Sequence, residues 1–464
     1  MRRRLLVRHF LNQFVENDFA PDVDRHQILA VAAAALITLP LFATIFMSVK
    51  FLMQPLQSPG WTGITTMGDQ VVFCATSLLV SAAIATLEWD ALALSPRDSV
   101  ILGVLPVPRE EIVRAKVLAL VTFAAAFVIA LNALPILLHP PLTVANFRGN
   151  PLLLIPLIAA HAISTGLAGA FGFACVVGLR EFLFLLLGER LFARVGGTIR
   201  SALLFSLLVL LVLAPIRLVG RATWMLEPGG IPPLLEPVAW CAAVHTAIAG
   251  RVLEVLPTPD LPERLAGEES RLRTLYFHNL PRVNALALKG VAILAGLLAL
   301  STMIYLRNAR RFHLLPEGQG AVGLLGVSSV SGAVASSLTR RPATRAGLLF
   351  LVRTVAGNPS HRVYVTAFIA TGMALVITMA PDALFAAPGG DRPIRTSELV
   401  AQTLMLTALV AGFRAAIRTS ADTRAAWVFG IAESSNHGEF RKGVRLGVIA
   451  AVIATVVALF PLHA

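Results

Sequence analysis

Cysteine is nearly missing from this 464-residue chain. The three present, Cys74, Cys175 and Cys241, stand too far apart for a disulfide framework or a CxxC metal knuckle. Charge is scarce as well: Asp, Glu, Lys and Arg make up 14% of residues, against 56% apolar and a mean hydropathy of +0.76. So little charge cannot cover a soluble surface, which excludes a soluble enzyme and a disordered scaffold. Lysine is scarcer still. None of Lys50, Lys116, Lys289 and Lys442 stands in GxxxxGK followed by Ser or Thr, so the chain carries no P-loop. HExxH and GxSxG are also lacking, which leaves zinc hydrolysis and nucleophile-elbow chemistry without a motif.

What the sequence has instead is long apolar runs, and an all-α polytopic membrane protein is the fold class they predict. Crossing the hydrocarbon takes about 20 mostly apolar residues. Nine stretches qualify: 28–49, 70–87, 116–138, 151–179, 199–220, 285–306, 362–381, 398–414 and 443–461. The basic start MRRRLLVRHF resembles a signal peptide, but the first apolar run begins only at Ile28, after Asp22 and Asp24, and reads as an uncleaved anchor. A net charge of +13 would suggest nucleic acid on a soluble protein; here its placement decides otherwise. With the N-terminus inside, 26 Lys and Arg flank the inner span ends, against Lys50, Arg148, Arg392 and Arg395 in the short outer loops. Ala321–Leu338 is long enough to cross, yet crossing would reverse every later loop against this rule, so 307–345 is expected to be a cytoplasmic linker.

Further organisation is legible between the spans. Residues 1–27 form a cytoplasmic elbow, with Leu5, Leu6, Phe10 and Phe14 near one helical face and Arg8, Asn12 and Glu16 elsewhere. The segment 88–115 is cytoplasmic, framed by Pro96, Pro106 and Pro108. Its PREEIVRAK has helix-start chemistry, predicting a short surface helix that feeds span three. In the outer loop 221–284, IPPLLEPVAWCAAVHTAIAG is too broken by proline to cross and predicts short helices dipping into the outer leaflet. The following PTPDLPERLAGEESRLR reads as aqueous. A faint repeat restarts near residue 345. It sets Gly103 over Gly430 and Arg114 over Arg441, making 346–464 a three-span unit in which Trp427, Glu433 and Arg441 mark a second coupling element.

His161 is the clearest ionisable group within a span, and a hydrogen bond to a neighbouring helix is its expected role. Around it, Ala162, Gly166 and Ala170, and separately Thr165 and Gly169, recur four apart and invite close helix approach. The acids Glu88, Asp90 and Glu181 fall at inner span ends, unlike the intramembrane acids of ion-coupled carriers.

Residues 1–306 thus combine an elbow, six spans, a cytoplasmic segment after span two and a long outer loop before span six. LGVLPVPREEIVRAKVLAL resembles a recurrent stretch of the permease subunits of ABC-2 type exporters, matched at Pro106, Arg109, Glu110, Ile112 and Lys116. IPPLLEPVAW is similar to that family's outer proline-then-Trp motif, though its Trp-Phe is absent. The resemblance implies a six-span permease core at 28–306 that has no nucleotide site. Two copies of a separate ATPase subunit, holding ATP and Mg, would grip a coupling segment carrying Pro106, Arg109, Glu110, Glu111, Arg114 and Lys116. It further implies an exporter of the bacterial inner membrane, multi-pass and a homodimer or pseudo-dimer, and the apolar spans with few polar residues fit an amphipathic or lipid-like substrate better than a sugar or an ion. Open alternatives are a membrane scaffold or regulator of an ATPase or protease complex, an ion-coupled carrier and a membrane-embedded enzyme.

Overall fold

The computed structural model describes residues 2–15, 40–41, 44–51, 59–94, 98, 101–102, 104, 106–144, 154–218, 225–226, 231, 235–255, 262–311, 337–357, 359–379, 396–418 and 437–459. Among them there is no strand. The helices are α1 (Arg2–Val15), α2 (Pro59–Leu87), α3 (Arg109–Val144), α4 (Leu154–Leu218), α5 (Glu236–Glu254), α6 (Glu263–His278), α7 (Leu280–Arg311), α8 (Pro342–Gly357), α9 (Pro359–Met379), α10 (Thr396–Arg418) and α11 (His437–Leu459). In α2, α3, α4, α7 and α9 the apolar stretch is long enough to cross a membrane, so the protein is a helical, multi-pass membrane protein. The expected first span, 28–49, lies mostly outside the described residues, as does Ala321–Leu338.

Three elements differ from the sequence reading. Helix α2 starts at Pro59, not at residue 70, because Pro59 suits a first helical turn and the carboxylate of Glu269 accepts hydrogen bonds from the N–H groups of Gly60 (2.8 Å) and Trp61 (3.2 Å). Helix α3 is one 36-residue element, so the expected separate surface helix is instead its first turns. Third, the inner loop expected at 180–198 is helical on both sides of Gly188. This residue, at φ 68 and ψ 169, joins two helices where a side chain would be strained. The Leu-, Glu- and Arg-rich sequence around it propagates helix readily.

The chain divides into two compact units. The first holds α1, α2, α3, the first part of α4, α5, α6 and α7, and has a core of Met67, Val71, Cys74, Ala168, Ala242, Ala243, Val283 and Ala287 contributed by α2, α4, α5 and α7. Helix α5, begun just after the outer-loop prolines, packs on both α2 and α7. In lipid such packing relies on close backbone approach rather than on expulsion of water. A Cβ at Gly169 would stand 2.8 Å from Val128 and 3.0 Å from Ser77, whereas one at Gly166 would meet nothing. Of the two small-residue stripes, the one through Thr165 and Gly169 is therefore the contact face. Ser77 donates to the carbonyl of Thr165 (2.9 Å), and Asn132 donates to Ser77 (2.9 Å), joining α2, α3 and α4.

In the second unit, residues 183–213 group with α8, α9, α10 and α11. Helix α9 packs on α10 and α8 on α11, with Gly347 and Gly443 held against the opposite backbone. The stretch 199–220, expected in a six-span core with 28–179, is thus divided between the units.

Candidate functional site

Two polar sites can be built within the first unit. The first is the head of α3. Proline at 106 and 108 breaks the preceding chain, and Glu110 and Glu111 in the opening turn favour the helix N-terminus. Pro106, Arg109, Glu110 and Arg114 are exposed, and Arg114 donates to Glu110 across one turn at 3.2 Å. Ile101 and Val104 stand exposed beside them, at 60% and 81%. The opposite face turns inward: Ile112, Val113 and Ala115 are buried, and Glu111 is half-buried.

Lys116 departs from the expected coupling set. It is fully buried, donates to Gln13 of α1 (2.9 Å), and places its ammonium over the rings of Phe10 and Phe14 at 4.8 and 5.2 Å. Gln13 donates in turn to Asp98 (2.7 Å), and Phe14 stacks on Phe123 of α3. Lys116 anchors the elbow; it does not face outward. Leu6, Phe10 and Phe14 are buried, while Leu5, expected on the same face, is exposed.

The second site is a buried cluster that the sequence reading missed. Asp69, inside α2 with its side chain 3% exposed, pairs through one oxygen with Lys50 and through the other with Nε2 of His139 at 3.3 Å. This is an acid within an apolar helix, where the sequence reading had acids only at the inner span ends. His161 lies 5.3 Å from His139 and 6.3 Å from His245 between ring centroids, with the edge of Phe73 against His139 and His161. Neither ring nitrogen of His161 has a hydrogen-bond partner. The helix-to-helix bond expected of it is made instead by Ser164, which accepts from Gln70 of α2 at 2.6 Å. The hydroxyls of Ser164 and Thr165 donate to the carbonyl of His161.

A third network lies inside α4, before Gly188. Arg180 donates to the carbonyl of Trp89 at 2.8 Å and pairs with Glu181, whose carboxylate accepts from Asn308 of α7 at 2.7 Å. Glu181 is buried by these partners, so it is not a solvated interfacial acid.

In the second unit, Arg441 is exposed near Glu439, whereas Trp427 and Glu433 lie outside the described residues. Hydrogen bonds from Lys442 (2.7 Å), Arg341 (2.9 Å) and Thr344 (3.0 Å) hold the carboxyl of Glu439 down to about 2. Among the described residues, no group of three His, Cys, Asp or Glu is arranged to hold a metal ion.

A signal for the buried cluster existed in the sequence. Lys50, Asp69, His139 and His245 all fall at span ends or loops assigned to one side, and collecting them by side instead of by span brings them together. No protein family, characterised protein or solved structure matches the chain.

Proposed function

We propose that this chain is the membrane permease of an ATP-driven exporter similar to the ABC-2 type, working with two copies of a separate ATPase subunit that holds ATP and Mg. The observation that carries this reading is the two-faced head of α3. Exposed Ile101 and Val104 are followed in the chain by exposed Pro106, Arg109, Glu110 and Arg114, while the same turns bury Ile112, Val113 and Lys116 against the unit. Exposed apolar side chains accompanied by charged ones suit a protein partner. Because α3 runs unbroken from that surface for 36 residues, a push on the patch moves a membrane helix as one body. The chain has no P-loop, so the energy for such a push comes from a partner.

In this reading the N-terminus and the head of α3 are cytoplasmic, and the membrane is the bacterial inner membrane. The apolar spans favour an amphipathic or lipid-like substrate, and two copies or two halves of the permease face the two ATPase subunits. The test is co-purification with an ATPase subunit encoded beside the gene, followed by ATP hydrolysis in proteoliposomes. Arg109→Glu is expected to abolish association and stimulation while the chain inserts normally. Association and transport left intact by Arg109→Glu would overturn the assignment.

A further inference from the structure

The cluster around Asp69 holds more ionisable groups than a structural ion pair needs. Lys50 alone neutralises the carboxylate, yet His139, 2% exposed, occupies its second oxygen, and His161 and His245 follow behind. Unpaired nitrogens at His161 and at Nδ1 of His245, together with an unpaired hydroxyl at Thr62, are costly in a lipid-embedded core. Apolar side chains would pack there without that cost. Thr62, Thr66, His139, Thr143 and His245 border one cavity, so unpaired groups from α2 and α5 converge on the ring that touches Asp69. Beside the histidines, Gln70 of α2 bonds to Cys74 and to Ser164 of α4, and Ser164 donates to the carbonyl of His161. Lys50, from the helical residues 44–51, is the cation that meets Asp69, and its side chain is 34% exposed.

We propose that this cluster is a proton-binding site in which the imidazole of His139 takes a proton from water and displaces Lys50 from Asp69. Charge balance requires the exchange. With His139 neutral, the charges of the cluster are the half-buried Lys50 and the buried Asp69, which cancel. Once His139 becomes an imidazolium, Asp69 neutralises it, and a lysine left in place would add an uncompensated positive charge to a low-dielectric interior. Lys50 keeps its own proton and turns to water, the direction in which it is already partly exposed.

The experiment needs no ATPase partner, so it stands apart from the exporter reading. The full chain in nanodiscs is treated with an impermeant amine reagent, and labelling of Lys50 is read by mass spectrometry as a ratio to exposed Lys442, which cancels the intrinsic pH dependence of amine reactivity. That ratio is expected to rise several-fold as the pH is lowered. His139→Gln should hold it at the low value, and Asp69→Asn should hold it high throughout. A ratio that stays constant with pH in the wild-type protein overturns the proposal, as does the same rise in His139→Gln. If a variant fails to insert, the wild-type ratio alone decides, because a purely structural ion pair keeps it constant.

Discussion

Glu269 shows how one side chain can position a distant element. Its buried carboxylate caps the first N–H groups of α2, more than two hundred residues earlier in the chain, where the helix leaves donors unpaired and its dipole favours negative charge. Glu269→Gln keeps the shape but removes the charge and one acceptor oxygen. It is expected to lower stability by about 1–3 kcal/mol, measured as an earlier thermal unfolding midpoint in detergent. The same side chain lies in a segment that reads as aqueous, because hydropathy along the chain carries no information about which charged residue meets a helix end. Lys116 was obscured in the same way. Its sequence neighbours Arg109 and Arg114 are exposed, and the burial of Lys116 follows from Gln13 and Phe10 on a helix about a hundred residues away. Lys116→Gln is therefore expected to loosen α1 from α3, raising proteolysis of the N-terminus. This differs from Arg109→Glu, which should leave that protection unchanged and remove the partner.

At the scale of elements, the packing of α4 makes a paired prediction. Gly169→Leu drives a side chain into Val128 and Ser77, and overpacking of this kind costs about 1–3 kcal/mol. Gly166→Ala meets nothing and should be neutral or stabilising by up to about 1 kcal/mol through helix propensity. Detergent thermal melts of the two variants check the order, and equal effects would mean that the two stripes are equivalent. Most helices longer than two turns were legible from apolar runs, and the small-residue spacing in α4 marked a contact face. The joints were not. Hydropathy averaged over a window cannot see that Gly188 redirects a continuous helix, or that Asp69 belongs inside α2 once Glu269 caps it ten residues upstream. In the second unit, Glu439 ties α11 to the approach of α8. Its carboxyl is held below its ordinary range, so the tie is fully present above about pH 4.5 and is lost as pH falls toward 2. Wild-type protein should lose α8–α11 protection in hydrogen exchange across that interval, and Glu439→Gln should lack the transition.

At the scale of the whole molecule, the proposed export cycle and the buried proton site meet in one rod. Arg109 and His139 stand thirty residues apart on α3, a rise of about 45 Å, which exceeds the hydrocarbon thickness of about 30 Å. A tilt of about 5° around the middle of such a rod moves each end by about 2 Å, enough to part the 3.3 Å contact between His139 and Asp69. Pro135, Pro140 and Pro141 flank His139, and α3 continues through them as one helix to Val144. Leverage of this kind runs both ways. Under the two proposals, work done on the surface near Arg109 would change how tightly a proton is held near Asp69, and proton occupancy there would resist or assist the same stroke by an equal amount.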